Sequence, residues 1–214
     1  MYKEFILFLI IFIVIYFFFI YDSRIDWKAD NGEVYKIMDA NDPNINKKKA
    51  NMLATINKDA QKVVELMHNE QVPTPNIANK TRNRFHKNFK IKETPRGEES
   101  GAAYTTNKGG INGEMSVCLM TKGKLNNLND TFFVILHELA HVMSDSYGHG
   151  PEFKQNFNFI IAFAVKNNLW KDPKYENREV DYCGVTITNS PCSNGNCNKN
   201  ELDNFYKDSL LDYK

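Results

Sequence analysis

The chain opens on an unbroken apolar and aromatic run from Phe5 to Tyr21, seventeen residues without a charge. Such a run lies at the short end of what spans a bilayer as a helix and exceeds a typical signal-peptide core. Tyr21-Asp22-Ser23-Arg24 follows, with no small-x-small pattern for a signal peptidase, so an uncleaved transmembrane anchor over 1–21 is expected. Residues 22–46 are polar, charged and broken by Asp42-Pro43, which predicts a stalk. From Lys48 to Asn69, the residues Leu53, Ile56, Ala60, Val63, Val64 and Met67 recur at intervals of three and four, the spacing of an amphipathic helix. Val72-Pro73-Thr74-Pro75 ends it, and a second short helix is predicted over 78–89.

Glycine-rich, turn-forming sequence then runs from Gly97 to Gly113, with a short strand expected over 102–106 and another from Met115 to Met120. Between 132 and 143 the pattern is almost continuously apolar, and His137, Glu138 and His141 are its only strongly polar residues. Asn129, Asp130 or Thr131 is expected to cap the helix that carries them. Pro151 suits the first turn of a further helix with an apolar stripe through Phe153, Phe157, Ile160, Ile161, Ala164 and Val165. Val185 to Thr188 reads as a last strand. The expected division is therefore an anchor over 1–21, a stalk over 22–46, one folded domain over 47–190 and a polar tail over 191–214.

Chemistry concentrates in one stretch, HELAHVMSDSYGHG, which holds three of the five histidines. On a helix, His137 and His141 are one turn apart on one face, and Glu138 sits beside them. Two imidazoles at that spacing can share a Zn2+ ion, and an adjacent carboxylate can take a proton from its water. Charged and imidazole groups in an otherwise apolar helix need partners, and a metal supplies one. A third ligand is required, with Asp145 and His149 as the near candidates. An unbroken helix carries Asp145 along the axis away from the ion, whereas Gly148 and Gly150 let the chain reverse and return His149. The absence of methionine after Met143 removes the Met-turn that a metzincin needs. His68 and His86 read as surface residues.

Net charge of +1 gives no general pull toward nucleic acid, and none is expected as a partner. Four cysteines are present; Cys192 and Cys197 are spaced for a small disulfide loop or half a metal knuckle, and free thiols remain the alternative. Arg24, Lys28 and Lys36 after the apolar run favour a cytoplasmic domain, while Asn79-Lys80-Thr81 and Asn129-Asp130-Thr131 are glycosylation acceptors, so the side of the host or virion membrane stays open.

HELAHVMS followed by YGHGPEF resembles the active-site segment of the SprT-like and WLM zinc metallopeptidases. The stretch from Tyr104 to Cys183, with YTTNKGG, SVCLM and VDYCGVTIT, is similar to the WLM-type metallopeptidases of large DNA viruses. The resemblance implies an α+β domain of zincin type, with an active-site helix, a short sheet and packing helices, here after the expected transmembrane helix. It implies His137, His141 and His149 as zinc ligands, Glu138 as catalytic acid/base, a protein or peptide substrate, and the Met115–Met120 strand at the edge of the cleft. Tyr147 and Tyr182 are candidates by position for an oxyanion donor. The rival expectation is a non-catalytic, membrane-tethered binding module with a structural zinc.

Overall fold

A computed structural model describes residues 2–15, 22–86, 88–110, 113–198, 200–211 and 213. Its first element, α1, covers Tyr2–Ile15, fourteen residues. Among the described residues no helix is long and apolar enough to cross a membrane. This finding overturns the expected N-terminal transmembrane helix, and with it the single-pass membrane location. Residues 16–21, the end of the apolar run, lie outside the described residues.

The segment expected as a stalk is folded. Strands β1 (Arg24–Lys28) and β2 (Val34–Met38) pair antiparallel, with Ile25 opposite Ile37 and Trp27 opposite Tyr35. Alternation places these four on one face and Asp26, Lys28 and Lys36 among the residues between them, a period of two hidden in a charged composition. Tyr35 and Ile37 are buried against helix α2, Pro43–Glu70. The Arg24 guanidinium reaches Glu114 at 2.8 Å, and buried Lys49 pairs with buried Glu93 at 2.9 Å, which tie the hairpin and α2 to the central sheet.

That sheet has three short strands in the order β3 (Lys92–Glu93), β5 (Met115–Val117), β4 (Ala103–Thr105), with β5 parallel to β3 and antiparallel to β4. Strands β6 (Met120–Thr121) and β7 (Lys124–Leu125) form a small hairpin after it. Helix α3 (Pro75–Arg84) packs on α2, and α4 (Leu128–Met143) lies against α2, α3, α5 (Pro151–Lys166) and β4. Strands β8 (Val180–Tyr182) and β9 (Val185–Ile187) form a last hairpin. The expected tail also contributes: α6 (Leu202–Leu211) packs on α5, with the Tyr206 ring 6.0 Å from that of Phe159. The folded body thus extends beyond the expected 47–190 at both ends, because the apolar residues of each flank find a face to cover.

All four cysteines are paired, Cys118 with Cys183 and Cys192 with Cys197, at Cα separations of 6.4 and 4.9 Å. The second is the small loop that was one of the alternatives its spacing left open. The first joins residues 65 apart and staples the β8–β9 hairpin to the chain just after β5.

Candidate metal centre

Helix α4 is apolar on nearly every side because it is the central helix of the body, with Phe132 to Leu136, Leu139, Ala140, Val142 and Met143 all buried. Its cap is Asn127, whose side chain accepts from the amides of Asn129 and Asp130; it is none of the three residues expected for that role. Asp130 instead is buried and accepts from the Tyr175 hydroxyl at 3.0 Å. At the other end, the Arg84 guanidinium donates to the carbonyls of Val142 at 2.8 Å and Ser144 at 2.9 Å, a cation on the negative end of the helix dipole.

After α4 the chain must return an imidazole to the helix face. Gly148, at φ +76, supplies a left-handed turn that side chains with a Cβ resist. The Glu152 carboxylate, in the first turn of α5, accepts from the amides of Asp145 at 2.7 Å and Ser146 at 2.8 Å and from the Ser146 hydroxyl at 2.6 Å. Those bonds pin the start of the loop, and His149 follows, separated from α5 only by the cap residue Gly150. For a zinc ion held by the neighbouring histidines, replacing Glu152 by alanine is expected to weaken binding by ~10-fold or more, the scale of groups that orient metal ligands. A competition titration with a zinc-binding dye checks this, and an unchanged affinity alongside unchanged helical circular dichroism would show that the loop holds without Glu152.

His137, His141 and His149 come together. One ligand nitrogen from each lies within 4.8 Å of the others, and His137 Nε2 is 2.9 Å from His149 Nε2. Two nitrogens sharing a tetrahedral zinc at ~2.0–2.1 Å are roughly 3.4 Å apart, inside that spread. The Phe153 ring packs against all three imidazoles, at 4.7, 4.3 and 4.7 Å between centroids, and stacks on Phe157. Burial, then the neighbouring His141 and His149, push the His137 imidazole down to about 3. Burial, then His149, push His141 down to about 4. Both are therefore neutral near pH 7, with lone pairs available to a metal. Three converging imidazoles fit zinc and leave room for a further ligand.

Glu138 is buried beside this cluster. Burial pushes its carboxyl up to about 7, against a hydrogen bond that the Thr105 hydroxyl donates to Oε2 at 2.7 Å. Thr105 belongs to β4, and sequence spacing carries no sign of it, since the pairing depends on how β4 lies along α4. The cleft-edge strand is also β4, whereas Met115–Val117, expected at the edge, forms the central strand.

The remaining candidates separate clearly. Asp145 is held by Lys80 at 2.8 Å and Arg84 at 2.7 Å, which draw its carboxyl down to about 2, and it stands outside the histidine cluster. Tyr182 is buried and donates its hydroxyl to the Cys118 carbonyl at 2.7 Å, so it is already committed. Tyr147 is exposed, with the Lys108 ammonium 4.6 Å over its ring, and lines a cavity of about 330 Å³ together with His141, His149 and Thr105. A larger cavity of about 480 Å³ lies on the other side of His137 and Glu138. His68 and His86 take no part in the cluster.

Among known proteins, the chain is 33% identical over 107 residues to "Uncharacterized protein R325" of Acanthamoeba polyphaga mimivirus. The match covers 49% of this chain and 52% of that protein, so the chain spans about half the length of the curated relative it matches. No family model matches the chain, and no solved structure does. The resemblance to SprT-like and WLM peptidases thus rests on the residues quoted for it.

Proposed function

We propose that the protein is a zinc-dependent metallopeptidase that hydrolyses peptide bonds, with His137, His141 and His149 holding the metal and Glu138 as general acid and base. The observation that carries this reading is the convergence of three imidazoles beside a buried carboxyl whose partner is a single threonine hydroxyl. Zinc, when bound, supplies a Lewis acid that polarises the scissile carbonyl and makes water easier to deprotonate. Thr105 fixes Oε2 of Glu138, leaving Oε1 to receive the proton of the attacking water and to return it to the leaving amine. Burial raises the affinity of this carboxyl for a proton, which favours its uptake from the water. Phe153 and Phe157 shield the imidazoles from bulk water on their inner side.

A non-catalytic module with a structural zinc has no use for Glu138. Burying an ionisable group there opposes stability, and the hydrolytic reading supplies the reason for it. The assignment of ligands is tested by metal analysis of the purified chain. One zinc per chain is expected in the wild type and in Asp145→Ala, and much less than one in His149→Ala. Retention in the His149 variant together with loss in the Asp145 variant would overturn the ligand set.

A further inference from the structure

Lys108 stands in the wall of the smaller cavity with no carboxylate partner among the described residues. Its ammonium donates to the Asp145 carbonyl and lies 4.6 Å over the Tyr147 ring, yet an ammonium carries three donors and a full charge. Neither contact neutralises it. The Asp145 carboxylate is taken by Lys80 and Arg84, at 2.8 and 2.7 Å, so its own charge is already balanced. The backbone also fixes where Lys108 stands. Asn107, Lys108 and Gly109 lie at φ 47, 52 and 81, consecutive left-handed residues of which the first two carry side chains that resist that conformation. At Gly109 a Cβ would come 3.2 Å from the Arg84 carbonyl oxygen and 3.3 Å from Val142 Cγ2, so the turn is clamped against α3 and the end of α4. Such strain persists where the surroundings over-determine it, and here it sets a cation beside reacting groups. Thr105, Glu138, His141 and His149 line the same cavity. So does Tyr147, a large aromatic side chain that is 84% exposed.

We propose that the smaller cavity binds a carboxylate of the substrate beside the cleaved bond, with Lys108 as its partner and Tyr147 as the adjoining wall. This rests on the peptidase reading. The carboxylate comes from an aspartate or glutamate side chain or from a free chain end, since either offers the acceptor oxygens that the remaining ammonium donors require. Within the lining, Glu138 is the one acidic residue, and its Oε2 already accepts from Thr105. A zinc ion on the three histidines adds positive charge at the same wall, so an anion is drawn in and a cationic side chain is turned away. The Tyr147 ring keeps the ammonium in place, because the face of an aromatic ring attracts a cation. Lys108 is only half-buried, which puts the preference at about tenfold, between the slight effect of an exposed ion pair and the larger one of a desolvated pair.

The test digests a proteome-derived peptide library, with C-termini either free or amidated, using the zinc-loaded full chain, and reads cleavage sites by mass spectrometry. Aspartate and glutamate are expected to be enriched about tenfold at one position flanking the cleaved bond. If the chain end supplies the carboxylate, cleavage clusters at that end instead and is lost on amidation. Lys108→Met keeps an unbranched apolar stem without the charge, and Lys108→Glu reverses the charge; any residue with a Cβ meets the same backbone cost at this φ, so neither alters the turn. Both are expected to keep their zinc. The first removes the preference, and the second turns it toward lysine and arginine. Cleavage that favours neither acidic residues nor the free chain end, or a preference that survives Lys108→Glu, would overturn the carboxylate site and leave the peptidase reading standing. So would a fall in kcat in Lys108→Met that is equal for acidic and neutral peptides, because Lys108 then serves every substrate alike. In parallel, fluorescence anisotropy follows zinc-loaded Glu138→Gln binding amino-terminally labelled Gly-Ser decapeptides: amidated with a central aspartate, amidated with a central asparagine, or with asparagine and a free C-terminus. Tighter binding of either carboxylate-bearing peptide, lost on adding Lys108→Glu, with no cleavage of any library peptide by the wild type, would refute the peptidase reading and keep the carboxylate site. Equal binding of all the peptides and no cleavage would sink both.

Discussion

Glu138→Gln is expected to retain zinc and fold while lowering peptide hydrolysis by at least ~100-fold, the scale of removing a general base. Glutamine has nearly the shape of glutamate, and its amide oxygen can still accept the Thr105 hydroxyl that Oε2 accepts at 2.7 Å. It lacks only the ability to take and return a proton. An active variant would mean that another group activates the water. The same substitution has a second signature in the metal-free chain. The Glu138 carboxyl rises from its ordinary 4.5 to about 7 on folding, so the folded state holds a proton that the unfolded state releases. Any stability linked to that proton is fully present below pH 4.5 and is lost as pH rises through about 7. After removal of metal, the glutamine variant is therefore expected to gain melting temperature relative to wild type as pH increases from 4 to 8. A difference that stays flat across that range would show that Glu138 ionises as freely in the folded chain as in the unfolded one.

Removing the Cys118–Cys183 bond, by alanine at both positions, is expected to cost about 4 kcal/mol. Closing a loop of 65 residues restricts the unfolded chain by that order. In a body of this size the melting temperature falls by on the order of 10 °C. The Cys192–Cys197 pair closes only five residues and is expected to contribute about 2 kcal/mol at most by the same relation. Thermal unfolding of the two double variants compares them directly. Equal losses would mean that loop closure does not govern the contribution of either bond. Because the longer staple also positions Val185 and Ile187 at the larger cavity beside His137 and Glu138, its loss is expected to raise KM for peptide substrates. Zinc content should stay unchanged, since neither cysteine belongs to the histidine cluster.

Local spacing was a sound guide wherever one element's own residues decide the outcome. The periodicity of Leu53 to Met67 lies within α2, Pro151 begins α5, and the one-turn separation of His137 and His141 on α4 brings their rings within 5.1 Å. Gly148 before His149 was enough to anticipate the reversal that brings the third imidazole back. Reading length and hydropathy alone failed at the N-terminus, where no helix among the described residues is long and apolar enough to cross a membrane. It failed again over 22–46, where charged residues between Ile25, Trp27, Tyr35 and Ile37 hid a strand pair that is stable only because α2 covers one face.

What the sequence by itself determined is the composition of the histidine cluster and the helix that holds two of its members, because a helical turn of 3.6 residues converts spacing into proximity without help from the rest of the chain. Tertiary structure alone decided which groups surround that cluster. Thr105 reaches Glu138 across 33 residues, Arg84 and Lys80 hold Asp145 away from the histidines, and Cys118 finds Cys183 across 65. Each of these pairings depends on how β4, α3 and the last hairpin lie along α4, a matter of burying apolar faces over long separations that no local pattern records.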